Sequence, residues 1–198
     1  MKSINFLFVI ALVAVFVAFA NIFVTFDKIK SLTGYATSTG WMNLSVDTTT
    51  SINFTTTSIN WSSGSVIPGQ VNATLYTAGG VVSGGNWTVV SNGLVIVNIG
   101  NTNVSLVIGA GKSAADFIGG SSPGYYWNFT NVESGSCTNI SNIKFGLLND
   151  TNSSAHVCSP LDANDAMDSM RIDIKLVIPN NAPGGSKGDV ITATASSM

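Results

Sequence analysis

Residues 87–111 read "WTVVSNGLVIVNIGNTNVSLVIGAG". Leu94–Asn98 opens with a continuous apolar run, Val104, Leu106 and Ile108 recur at every second position, and Gly100-Asn101 separates the two. Residues 87–90 precede Ser91-Asn92-Gly93, where Asn and Gly tolerate the positive φ of a tight hairpin. Successive side chains on a pleated strand point to opposite faces. The stretch therefore predicts short antiparallel strands, each with one apolar face.

The same signal recurs on both sides of it. Met42, Leu44 and Val46 alternate, as do Ile52 and Phe54, then Ile59 and Trp61. "VIPGQ" (66–70) is a Pro-Gly turn into a run at 71–76, and Gly79-Gly80 and Gly84-Gly85 punctuate the next loop. A short helical turn fits around 114–118. Two further strands, 170–178 and 189–195, are joined by "PNNAPGGSKG". No long amphipathic helix interrupts the series. Short strands with turns roughly 8–12 residues apart predict an all-β fold, an Ig-like or jelly-roll β-sandwich.

One segment stands apart. Residues 4–26, "INFLFVIALVAVFVAFANIFVTF", contain no charge. As a helix they reach about 34 Å, enough for a hydrocarbon core of about 30 Å. Ala18-Phe19-Ala20 resembles a signal-peptidase site, so secretion after cleavage near Ala20 is the alternative. The apolar run continues past it through Ile22, Phe23 and Val24, which favours an uncleaved anchor. Lys2 and the pair Lys28 and Lys30 nearly balance, so flanking charge does not set orientation. The expected organisation is a membrane anchor at 1–29, a juxtamembrane stalk at 30–40 and a β-sandwich at 41–198.

Asn-x-Ser/Thr occurs at Asn43, Asn53, Asn60, Asn72, Asn86, Asn103, Asn128, Asn139, Asn149 and Asn152. With 44 Ser and Thr and 20 Asn in 198 residues, chance gives roughly four such triplets. Strand alternation explains part of the excess, because the spacing puts Asn and Ser/Thr on one face and the middle residue on the other. The first eight middle residues (Leu44, Phe54, Trp61, Ala73, Trp87, Val104, Phe129 and Ile140) are all apolar. Outward Lys and Glu would serve a strand equally well and are nearly absent, so glycan acceptors outside the cell are expected. Cys137 and Cys158 agree: in an oxidising compartment they pair, stabilising the fold by roughly 3 kcal/mol on the chain-entropy model. Together these features orient the domain outward and Lys2 inward, as a single-pass protein of the cell membrane.

Composition narrows the function. Charged residues make up 9% of the chain, against about 25% in ordinary soluble proteins. A net charge of −2 offers nucleic acid no basic patch. Glu133, His156 and Arg171 are each the only residue of their type. A nucleophile–histidine triad has only His156 to use, and that residue reads as part of a solvated loop between the cysteines. No catalytic site is expected. Asp162, Asn164, Asp165 and Asp168 in "LDANDAMDSM" offer hard oxygen atoms to calcium, but without the EF-hand glycine and glutamate. Calcium aside, no cofactor is indicated. Alternation points Trp61, Trp87 and Trp127 inward and Trp41 outward, beside Asn43, where it would stack on a sugar or meet a partner. Residues 31–39, "SLTGYATST", are uncharged and suited to adding as a strand to a neighbouring copy.

The Pro-Gly turn, the "VNIGNTNVSLVI" run and the late "IPNNAPGG…VITATA" resemble the layout of prokaryotic surface sandwiches: TasA/camelysin-type fibre subunits and archaeal surface or pilus proteins with an N-terminal hydrophobic segment. The Lys/Arg-Gly processing site of type IV pilins is missing ahead of the helix. The resemblance implies a pilus-like filament or coat glycoprotein with a role in structure or adhesion, partnered by the membrane, by itself through strand addition, or by envelope glycans. A membrane-anchored carbohydrate- or ligand-binding module is the alternative.

Overall fold

The computed structural model describes residues 2–32, 41–140, 146–147 and 154–198, which form one compact unit up to Ser45 and another from Val46 onward. In the first, α1 spans Lys2–Leu32. Its stretch Phe6–Phe26 is long and apolar enough to cross a membrane. Residues 41–45 have no regular structure and are exposed. Asn149, Asn152 and most of the proposed strand donor at 31–39 lie outside the described residues.

The second unit carries ten strands and a single helical turn among its described residues: β1 Ile52–Thr56, β2 Asn72–Tyr76, β3 Val81–Ser83, β4 Leu94–Asn98, β5 Val104–Ala110, α2 Ala114–Phe117, β6 Gly124–Asn131, β7 Gly146–Leu147, β8 Ser154–Leu161, β9 Ser169–Pro179 and β10 Ile191–Ser197. All pairings are antiparallel. A three-stranded sheet runs β10-β5-β8, and a seven-stranded sheet is organised around β9. One edge of β9 pairs with β6 from Asn131↔Met170 to Gly124↔Val177. Its other edge is shared end to end, with β4 against 169–172 and β2 against 175–179. β1, β3 and β7 extend the sheet from β4, β2 and β6.

The two sheets close on one core. Val104, Leu106 and Ile108 of β5 meet Ile96 of β4, Ile172 and Ile174 of β9, and Val157 and Leu161 of β8. Each is at most 4% exposed, and burying such a side chain contributes about 1.5–3 kcal/mol before entropy is counted. Polarity enters the core once on β4, at Asn98. Its Nδ2 donates to the carbonyls of Thr102 and Asp162 at 3.0 Å each, and its Oδ1 accepts from Gly100 N. The helical turn α2 starts where Ser113 Oγ accepts from Asp116 N at 3.1 Å, an N-cap. It ends at Gly119, whose φ of 76° suits the left-handed position after a helix.

The all-β fold behind an apolar N-terminal helix matches the sequence reading; several local expectations do not. Met42, Leu44 and Val46 form no strand and are 95, 85 and 73% exposed, because a strand without a neighbour has neither ladder nor covered face. Residues 87–90 are not a strand of a hairpin with β4; they belong to a connection beside 61–67. Neither Asn92 nor Gly93 has positive φ. Gly93 answers a different need: a Cβ there would lie 2.5 Å from Ile172 O and 2.8 Å from Asp173 Oδ1. His156 lies on strand β8 rather than in a loop. Irregular register against β5 near Leu106 puts consecutive Val157 and Cys158 inside, which hides the strand from a period-two search.

Candidate functional site

The sandwich opens into a cleft of about 1210 Å³. Its floor is the inner face of the large sheet, including Leu94, Tyr125, Ile174 and Leu176, and its walls come from residues 57–66 and 179–191. The first wall is held by a short antiparallel contact. Thr88 N donates to Trp61 O at 3.1 Å, Asn86 N to Ser65 O at 3.2 Å and Ile67 N to Gly84 O at 3.0 Å. Between these segments the Trp87 ring packs against two glycines. A Cβ on Gly85 would meet ring carbon Cε3 at 2.6 Å, and one on Gly64 would overlap the ring outright. The glycines of "WSSGS" and "SGGNW" thus admit an indole that a larger residue would displace.

The second wall is tied down by polar contacts. Tyr125 OH donates to Asp189 Oδ2 at 3.1 Å, and Lys112 Nζ donates to Gly188 O. Burial, reinforced by the Asp189 carboxylate, pushes the Tyr125 phenol far above its ordinary value, so it remains a neutral donor at physiological pH. Among the lining residues only Tyr125, Lys187 and Asp189 are ionisable. The remainder is aromatic and aliphatic surface bordered by Ser, Asn and Gly, an arrangement suited to binding an uncharged partner.

Strand edges flank this opening. β10 pairs only with β5, and β1 only with β4, among the described residues. Their inward side chains, Ile191, Ala193 and Ala195 on one and Ile52 and Phe54 on the other, are only half-buried, whereas the inward residues of β5 are at most 5% exposed.

The outer face of the large sheet holds a second polar group of residues, with a structural task. Arg171 and Asp173 form an ion pair at 2.7 Å. Thr77 Oγ1 donates to Asp173 Oδ1 at 2.7 Å and accepts from Ile174 N at 3.0 Å. Arg171 Nη2 also donates to Ser91 O at 2.7 Å. These bonds close the gap where β2 stops and β4 begins along β9. Lys175 sits 5.8 Å from the centre of the Tyr126 ring.

The candidate residues that fall within the described residues are placed as follows. Asn43, Asn53, Asn60, Asn72, Asn86, Asn103 and Asn139 are exposed and Asn128 is half-buried. Of their middle residues, Ala73, Val104 and Phe129 are buried, while Phe54, Trp61, Trp87 and Ile140 pack on the core's edge; Leu44 alone of the eight is fully outside. Cys137 and Cys158 form the disulfide. Trp127 is core and Trp61 and Trp87 line the cleft, while Trp41 is 92% exposed. The indole N–H groups of Trp61 and Trp127 are buried and have no hydrogen-bond partner among the described residues.

In the acidic turn two side-chain oxygens serve the turn's own backbone. Asp162 Oδ1 accepts from Asn164 N at 2.9 Å and Asn164 Oδ1 from Ala166 N at 3.1 Å, so both cap their own turn. Asp168 is 8% exposed; burial, then Glu133 and Asp165, raise its carboxyl above the ordinary range. Among the described residues no three His, Cys, Asp or Glu side chains converge to hold a metal ion. The exposed His156 faces Ser105 Oγ at 3.3 Å through Nδ1. The cleft itself escaped the sequence reading; the only local hints were the glycines on either side of Trp87. Comparison with family models, with curated proteins and with solved structures gives no match.

Proposed function

We propose that this chain is a non-enzymatic surface glycoprotein, held in the cell membrane by α1 with its sandwich outside, and that its work is structural or adhesive. The observation that carries this reading is the placement of the sequons: seven of the eight sequon asparagines among the described residues are exposed, beside a surface rich in Ser, Thr and Asn. An N-linked glycan needs an accessible amide on a surface outside the cytoplasm. The long apolar helix and the disulfide fit the same compartment.

Intact mass of native material from the membrane fraction tests it. A mass above the 20.5 kDa of the polypeptide, by several glycan increments, with residues 4–26 retained, is expected. An unmodified mass from a cytosolic fraction overturns the reading. A mature start at Asn21 changes anchor to secretion. The cleft supports a second reading, an anchored carbohydrate- or ligand-binding module; a glycan array probed with the purified protein tests that directly, and saturable binding to one sugar class supports it.

A further inference from the structure

We propose that the cleft receives residues 41–46 of a second copy of this chain, which add as an extra strand beside β10. The proposal rests on the surface-structural reading and names the partner. The acceptor is an incomplete layer: one edge of β10 has no strand beside it among the described residues, and its inward Ile191, Ala193 and Ala195 are half-buried. A cleft of about 1210 Å³ also exceeds the roughly 300–1,000 Å³ of small-molecule sites.

The donor is the segment "WMNLSV" (41–46). Met42, Leu44 and Val46 are 95, 85 and 73% exposed, three apolar side chains open to solvent. In an extended chain they fall on one side about 6.6–6.8 Å apart, while Asn43 and Ser45 fall on the other. Added to a sheet, the segment would turn its apolar side to the floor at Leu94, Ile174 and Leu176 and its sequon to solvent. Charge agrees: residues 41–46 carry none, and the ionisable groups of the cleft are confined to Lys187, Asp189 and the neutral Tyr125. In strand addition, main-chain hydrogen bonds supply affinity and alternate side-chain pockets supply selectivity. Anchoring by α1 would concentrate copies in one plane, so a weak contact suffices to link them.

The test uses the full chain in detergent micelles. Leu44→Asp disables the donor at an exposed position, and Ser58→Trp obstructs the cleft from its exposed rim; unchanged melting temperatures show that both variants fold. Wild type should form larger species with rising concentration by light scattering, and each variant alone should stay monomeric. An equimolar mixture should give dimers and stop, because one variant keeps a donor and the other an acceptor. A synthetic 41–46 peptide should bind Leu44→Asp protein by calorimetry, and its own Leu44→Asp version about tenfold or more weaker, from the cost of placing a carboxylate on an apolar floor. Variants that assemble like wild type, a mixture that stays monomeric, or a cleft that binds a sugar or small apolar compound but not the peptide would each overturn the proposal. A wild-type chain that is monomeric at every concentration, yet membrane-bound and glycosylated, overturns strand exchange and leaves the surface reading standing. An unglycosylated cytosolic chain removes that reading instead.

Discussion

Asn98 is a polar side chain at an inward strand position, and its neighbours explain why it is tolerated. It is 1% exposed and joins β4 to the Asp162 carbonyl just beyond β8. Asn98→Ala should cost about 2–4 kcal/mol, since it strands buried carbonyls as well as removing bonds; urea unfolding followed by circular dichroism measures it. At Glu133 the effect depends on pH. Its carboxylate accepts from Ser169 Oγ, from Ser169 N at 3.1 Å and from Ser136 Oγ at 3.1 Å, and the Ser169 hydroxyl leads in holding its pKa below the ordinary value of 4.5. A carboxyl with a depressed folded pKa contributes stability that is present above its unfolded pKa and lost as pH falls through the folded one. Ser169→Ala should therefore cost about 1 kcal/mol near neutrality, and the difference from wild type should shrink below pH ~4.5. Melting curves at stepped pH read both. Asp168 has the opposite sign: its raised pKa makes stability fall as pH rises through that value.

Elements succeed here by sharing partners. β9 is 11 residues long and serves β6 along one edge and β4 and β2 in succession along the other, so the junction between those two needs its own polar clasp of Arg171, Asp173 and Thr77. The disulfide does a comparable job for the smaller sheet, fastening the segment at Cys137 to β8 at Cys158. Cys137→Ser should lower stability by roughly 3 kcal/mol and leave one free thiol at Cys158, read by thermal melting and thiol titration. The wall at 61–67 depends on close packing instead. Gly64→Ala would drive a methyl into the Trp87 ring, so a loss of about 1–3 kcal/mol with altered tryptophan emission is the expected outcome. Strand content was legible where apolar residues recur at every second position, as in β5 and β9, and where a short apolar run lies between turn residues, as in β4. It was not at β8, where irregular pairing puts neighbouring residues on one side, and at 87–90 an apolar stretch beside a turn forms no strand.

At the scale of the molecule, the sandwich and the stretch before it differ in protection. The inner strands bury their backbone in two ladders, while 41–45 lack regular structure and carry exposed Trp41, Met42 and Leu44. Brief chymotrypsin treatment of dilute, micelle-bound chain should cut first at 41–44 and release a resistant fragment beginning close to Val46. Mass spectrometry of the products checks this, and early cuts inside β4, β5 or β9 would contradict the fold. The same cuts should slow in concentrated samples if 41–46 occupy a neighbour's cleft. Of the candidate site, the sequence showed the aromatic residues but not the opening they line.

What the sequence determined by itself is local and periodic. Recurrence at i and i+2 assigned faces to β5 and β9 and turned most sequon asparagines outward, a short apolar run between turns marked β4, and an unbroken apolar run produced α1. These outcomes depend only on backbone geometry and the cost of wetting or burying a side chain. The tertiary structure decided everything that required a partner distant in the chain. It chose which strand lies beside which, buried Asn98 because carbonyls from elsewhere could satisfy it, and set Gly64 and Gly85 around one indole. It also left Met42, Leu44 and Val46 without a sheet. An alternating segment becomes a strand only when another strand pairs with it, and among the described residues none pairs with 41–46.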